Sequence, residues 1–126
     1  MKIASECYTI IALALAAQPV LGQSQVDCAI SKMTITHTPE GVGSTTVEEH
    51  LIFLINDKAR TIAFLNGRQL KIIRFEPSWI SAEDDGVQYE FNRSDGTLSY
   101  AGSTAEGGTT TVIVGSGQCE IVPTKT

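Results

Sequence analysis

The chain has 126 residues, 42% of them hydrophobic, and a formal net charge of −5 at neutral pH. The acidic balance argues against nucleic acid and anionic membrane surfaces as partners, because binding to either needs a surplus of Lys and Arg. A chain of this length is expected to form one domain of ordinary size with a real hydrophobic core.

The N-terminal region predicts a cleavable signal peptide. Lys2 supplies a positive start, residues 8–17 are almost continuously apolar, and small residues precede a cleavage point at Gln23. A transmembrane anchor is the alternative, but it needs about 20 apolar residues, more than this run contains. We therefore expect a helical signal peptide at 1–22, a single β domain at 23–126, and a periplasmic or secreted protein without membrane contact after cleavage.

Two cysteines remain after cleavage, Cys28 near the start of the mature chain and Cys119 near its end. In an oxidising compartment we expect them to form a disulfide. Free thiols or a metal site are the alternatives. A reactive thiol has little support, because neither cysteine lies in a Cys-x-x-Cys motif or beside Lys, Arg or His.

The mature chain alternates β-branched and apolar segments with turn residues, and contains no convincing helix. Loops are expected at 38–44 and 102–108, a hairpin turn at Asn66-Gly67, and another turn at Gly115-Ser116-Gly117. The predicted strands cover 28–37, 45–55, 61–65, 68–75, 79–83, 87–92, 97–100, 109–114 and 118–122. Short strands joined by short turns indicate an all-β fold, an antiparallel meander forming a small barrel or sandwich of about eight strands.

The clearest strand signal is the hairpin from Val87 to Tyr100. Ser94-Asp95-Gly96 supplies its turn, since Gly takes a positive φ without steric cost. Gln88, Glu90 and Asn92 alternate with apolar residues and are expected to face solvent. The predicted core face of the hairpin contains Val87, Tyr89, Phe91, Leu98 and Tyr100.

Short polar motifs give no catalytic or metal site. Glu48 and His50 share one face of a strand, but two ligands do not make a metal centre. His37 is the other histidine of the chain. The carboxylates of residues 83–85 lack the alternating spacing of calcium loops and are expected to form a solvated turn. The isolated glycine pairs lack the third glycine and the helix of a dinucleotide site, so no cofactor is indicated.

Two residues invite both a structural and a functional interpretation. Trp79 is the one tryptophan, and we expect it to pack against the core, although aromatic residues also anchor partners. Arg93 ends a strand, where it can pair with Asp95 or brace a neighbouring strand through its planar fork, and bracing is the default expectation. Asn92-Arg93-Ser94 also matches a glycosylation sequon, which matters only in a eukaryotic source.

A strand-turn-strand pattern near the C-terminus is followed by a Gly-x-Cys-Glu ending, with the residues Tyr89, Phe91, Arg93, Gly96, Leu98, Gly117, Cys119 and Glu120. With the looser upstream match from Phe53 to Ile62, this pattern covers roughly the last two-thirds of the mature chain and resembles a group of small uncharacterised proteins exported by Gram-negative bacteria. The resemblance implies a periplasmic or secreted β domain and brings no known activity.

The sequence leaves the function unknown and supports three hypotheses. The first is a non-catalytic exported binding or accessory protein, with an unidentified protein or small molecule as its partner. The second is a periplasmic inhibitor of lysozyme. Gly86 and Tyr89 keep the Gly-x-x-Tyr part of the loop that such inhibitors carry, although Asp85 replaces the expected Ser. The third is a small hydrolase or metal enzyme, for which no nucleophile–base pairing is seen.

Overall fold

The computed structural model describes residues 23–122. The predicted signal peptide at 1–22 and the tail at 123–126 lie outside the described residues. Within them the chain forms eight strands and no helix, so the expected all-β class is confirmed. The strands are β1 (Gln23–Thr38), β2 (Gly41–Asn56), β3 (Thr61–Phe64), β4 (Lys71–Phe75), β5 (Trp79–Asp84), β6 (Val87–Asn92), β7 (Thr97–Glu106) and β8 (Thr109–Val122).

All eight strands belong to one antiparallel sheet with the order β3-β2-β1-β8-β7-β6-β5-β4. Apart from β3 and β4, which lie at the two ends of this order, every strand pairs with the next in sequence, and β8 pairs with β1, so the meander curls back on itself. The outer strands β3 and β4 meet through the bridge between Ala63 and Gln69 and a 2.9 Å hydrogen bond from Leu70 N–H to Ile62 C=O. The result is a nearly closed, barrel-like sheet in place of two stacked sheets.

The core lies inside this barrel because successive side chains along a strand point to opposite faces. Val26, Cys28 and Ile30 of β1 alternate with more exposed residues. Opposite them, Phe53 and Ile55 of β2 are 1% exposed. The predicted face of the Val87–Tyr100 hairpin is also inward, with Phe91, Leu98 and Tyr100 buried and Val87 and Tyr89 half-buried against the core.

Three predicted irregular segments are strands in the structure. Residues 41–44 belong to β2, residues 102–106 continue β7, and Gly115–Gly117 lie inside β8. The loop at 38–44 is therefore reduced to a turn at 39–40, and the predicted turn at Gly115 is wrong. The ninth strand merges into the eighth.

The long strands give the barrel two unlike ends. At the lower end lie both ends of the described chain and the turns β2–β3, β4–β5 and β6–β7. At the upper end the hairpins β1–β2 and β7–β8 continue past the other strands. No described helix has the length and apolar character that a membrane crossing requires.

Candidate functional site

A cavity of about 250 Å³ opens at the lower end of the barrel. We call it the mouth cavity. It draws residues from the two terminal strands, from the end of β2 and from two turns. Its lining consists of Ser24, Val26, Ile55, Pro77, Phe91, Arg93, Gly96, Cys119, Glu120 and Ile121.

The walls of the mouth cavity are mostly apolar. Val26, Ile55 and Phe91 are inward residues of their strands and at most 5% exposed, so they form its floor. Ile121 lies opposite Val26 in the β1–β8 ladder and is 67% exposed at the rim. An apolar pocket with a few polar groups at its edge is the usual form of a small-molecule site.

Arg93 is the main polar group of the cavity. Its Nη1 and Nη2 donate to the two carboxylate oxygens of Asp57 at 2.5 and 2.9 Å, a paired geometry that links the β6–β7 turn to the β2–β3 turn. Hydrogen bonding from Arg93 lowers the pKa of Asp57, and the same bond raises the pKa of Arg93. Structural bracing, the expected role of Arg93, is what this pair provides.

Backbone hydrogen bonds hold the turns around the cavity in place. Arg93 N–H donates to Ser78 C=O at 2.9 Å, and Cys119 N–H donates to Gly96 C=O at 2.7 Å. Gly96 has a φ of 72°, as expected for its turn. Because the turns are tied to each other and to β8, the cavity is formed before any ligand arrives.

The structure contains the disulfide between Cys28 and Cys119. The two residues lie directly opposite each other in the β1–β8 ladder, which joins the first strand to the last. Cys28 is fully buried, whereas Cys119 lines the mouth cavity. The disulfide therefore fixes one wall of the cavity as well as the seam of the barrel.

A second polar cluster lies on the outer surface of β5 and β6. The Glu90 carboxylate accepts hydrogen bonds from Trp79 Nε1 at 2.8 Å, Ser81 Oγ at 2.5 Å and Gln88 Nε2 at 2.6 Å. Burial alone would raise the pKa of Glu90, but these hydrogen bonds outweigh it and leave the pKa below its ordinary value. Trp79 is thus half-buried on the outer face beside Arg74, and its expected place against the core is corrected.

At the upper end of the barrel, aromatic rings fill the interior. Tyr89 packs against the rings of Phe53, Phe64 and Tyr100, with centroids 5.2 to 6.0 Å apart. The Tyr100 hydroxyl donates to the Glu49 carboxylate. Burial, and then this contact, raise the pKa of Tyr100, and burial also raises the pKa of Tyr89. Both side chains are therefore protonated at neutral pH.

The remaining sequence candidates are not brought together. His50 contacts Asp27 at 3.1 Å, whereas His37 lies near the far end of β1 opposite Thr110. Asp84 pairs with Arg68 at 2.6 Å and Glu83 with Lys71 at 3.8 Å. Within residues 23–122 no group of three or more His, Cys, Asp or Glu side chains is arranged to hold a metal ion.

The fold and the mouth cavity define a small disulfide-linked antiparallel β domain. No protein-family model, curated protein or solved structure matches the chain. The sequence did not reveal the cavity, since its lining residues come from distant segments that only the curled sheet brings together.

Proposed function

We propose that the chain is a non-catalytic exported binding protein that holds a small, largely apolar molecule in the mouth cavity. The observation that carries this proposal is a preformed cavity of about 250 Å³ with apolar walls and one guanidinium at its edge. The mouths of β-barrels are common ligand sites, because they combine an apolar cavity with a few polar groups.

The polar edge of the cavity suggests the orientation of the ligand. Asp57 takes two of the five N–H donors of the Arg93 guanidinium. Among residues 23–122 only Asp57 accepts from this guanidinium, so its other N–H donors can serve an acceptor group on a ligand whose apolar part contacts Phe91 and Ile121. An apolar molecule with a carbonyl group at one end, or with an anionic group that approaches Arg93 away from the Glu120 carboxylate, fits this arrangement.

Export is part of the proposal. It is supported by the signal-peptide pattern and by the disulfide, which is typical of oxidising compartments. Membership of the group of small exported Gram-negative proteins remains a proposal of the same kind. In this chain its motif residues Phe91 and Leu98 are core positions, and Arg93 and Gly96 lie at the mouth cavity.

The inhibitor hypothesis requires Gly86 and Tyr89 on a protruding loop. Gly86 occupies the two-residue turn before β6, but Tyr89 lies within β6, paired with Ala82 and Tyr100, and its ring points into the barrel. This placement favours a fold-building role for the stretch, and the binding proposal is the one we develop.

A fluorescence titration with 1-anilinonaphthalene-8-sulfonate tests the proposal, because this probe combines an apolar body with an anionic group. We expect binding at one site. Ile121→Trp places a larger side chain at the cavity rim and should weaken binding of the probe by about tenfold or more, because the indole ring narrows the opening and fills part of the volume that the probe needs. The exposed position of Ile121 lets the fold accept the change.

Ile73→Trp is the matched control, since Ile73 is an exposed strand residue outside the cavity lining. It should bind the probe like the parent chain. Equal binding by both variants, or equal loss in both, would show that the probe does not occupy the mouth cavity.

A further inference from the structure

Four strands extend beyond the body of the barrel at its upper end. They are paired as two hairpins, β1–β2 and β7–β8, joined along β1 and β8. On one side of this extension, β3 pairs with β2 only through residues 53–56. Residues 41–52 of β2 therefore form an edge that no other strand of the described chain covers.

Apart from the charged side chains of Glu48 and Glu49 near one end, this edge lacks the features that usually protect an exposed strand. Soluble proteins blunt edges with Lys, Pro, bulges or short length, because unpaired backbone groups attract further strands. The edge from Gly41 to Ile52 contains no Lys, Arg or Pro, and its ladder with β1 runs without a bulge. Residues 41–48 are all exposed.

We propose that the β2 edge pairs with the same edge of a second copy of this chain, antiparallel and about a two-fold axis at Thr46. An antiparallel edge is self-complementary under such an axis. The central residues Thr45, Thr46 and Val47 are β-branched and suited to pairing.

An axis at Thr46 lies at the middle of the unpaired edge, and the distribution of charge is compatible with this register. With Thr46 opposite its own copy, Glu48 lies opposite Ser44 and Glu49 lies opposite Gly43. The acidic residues of the two copies are thereby kept apart, whereas a centre at Glu48 would place two carboxylates face to face. Like charges directly opposite each other destabilise a strand pair.

Sedimentation equilibrium of the purified exported chain tests the proposal. We expect a reversible monomer–dimer equilibrium. Thr46→Lys places two ammonium groups opposite each other and should weaken the dimer by about tenfold or more. Thr110→Lys is the matched control, because Thr110 is an exposed residue of β8, an inner strand of the same extension. It should leave the dimer intact.

Charge complementation then tests the register. Thr46→Glu alone should also be monomeric, and an equimolar mixture of Thr46→Lys and Thr46→Glu should recover the dimer, which also shows that both variants fold. A parent chain that stays monomeric up to about 1 mM overturns the proposal. So does a dimer that survives Thr46→Lys, a dimer lost equally in Thr110→Lys, or a mixture that stays monomeric.

Discussion

Glu90 shows how one side chain on the outer face can organise its surroundings. Its carboxylate accepts hydrogen bonds from side chains of β5 and of its own strand, and it lies beside Ser81, which is only 6% exposed. A buried hydroxyl without a partner is costly. Glu90 therefore satisfies a group that the fold has already removed from water.

We predict that Glu90→Ala lowers the free energy of unfolding by about 1–3 kcal/mol, because Ser81 and Trp79 lose their shared acceptor. Glu83→Ala is the control. Glu83 is a half-exposed residue of β5 whose pairing with Lys71 at 3.8 Å should contribute at most about 0.5 kcal/mol. Urea denaturation of both variants measures the difference, and equal small effects would contradict the role assigned to Glu90.

The pH dependence of the Glu90 effect has a defined sign. Because the pKa of Glu90 is below its ordinary value of 4.5 in the folded protein, its charged form is favoured by folding. The contribution of ionised Glu90 to the free energy of unfolding is present above its ordinary pKa and is lost as the pH falls through its lowered pKa in the folded protein. The stability gap between the parent chain and Glu90→Ala should narrow over that range.

Strand alternation predicts the face on which Glu90 lies but not its importance. The sequence places Gln88, Glu90 and Asn92 outward, and the structure agrees. The partners Trp79 and Ser81 lie on β5, and only the register that sets Ser81 opposite Glu90 brings them into reach. That register depends on the turn at 85–86, where Asp85 adopts a φ of 51°.

At the scale of the element, β8 explains why the sequence predicted a turn at residues 115–117 where the structure has a strand. Glycine is needed at Gly115 and Gly117 because atoms of neighbouring strands come too close to leave room for a Cβ. A Cβ on Gly115 would lie 2.2 Å from the Tyr100 ring, and one on Gly117 would lie 1.8 Å from the Ala29 carbonyl oxygen. Gly-Ser-Gly therefore has a packing role in a strand, although the same letters are typical of a turn.

Substitution of Gly115 or Gly117 by Ala should destabilise the protein, and the two costs should differ. Gly117→Ala meets backbone, which cannot rotate away, and should cost about 3 kcal/mol or more. Gly115→Ala meets a side chain and should cost less, about 1–3 kcal/mol. Gly43→Ala is the control, since nothing lies within 4 Å of its added Cβ. Thermal unfolding ranks the three variants, and a neutral Gly117→Ala would contradict the close packing of β1 and β8.

The extension explains the other missed segments. Residues 103–106 of β7 and 41–44 of β2 are exposed, so neither segment needs the apolar–polar alternation that marks a half-buried strand. Their Gly, Ser and Thr content resembles that of loops. Strand pairing along β1 and β8, which local sequence does not show, keeps them extended.

At the scale of the whole molecule, the sequence predicted the all-β class and about eight strands, while the closure of the sheet came from pairing of the first strand with the last. The turn signals at Asn66-Gly67 and Ser94-Asp95-Gly96 predicted two of the junctions between consecutive strands. The β1–β8 seam joins residues about 90 positions apart, and the mouth cavity exists only because that seam forms. Cys28 and Cys119 were the one sequence feature that pointed to it.

The last prediction concerns this seam. The disulfide closes a loop between residues 91 positions apart. In the chain-entropy view such a cross-link stabilises the fold by about 4–5 kcal/mol, mainly by restricting the unfolded chain. We therefore expect reduction to lower the urea midpoint and to raise the dependence of unfolding free energy on urea, because the unfolded chain becomes more exposed.

The Cys28→Ala/Cys119→Ala variant separates the covalent link from the reductant. It should unfold at low urea with or without reductant, and at lower urea than the reduced parent, since Ala also removes the buried Cys28 sulfur from the core. A parent chain whose midpoint and slope do not change on complete reduction would show that strand pairing alone closes the barrel. In that case the seam between β1 and β8, and the cavity wall it forms, would be stable without the covalent link.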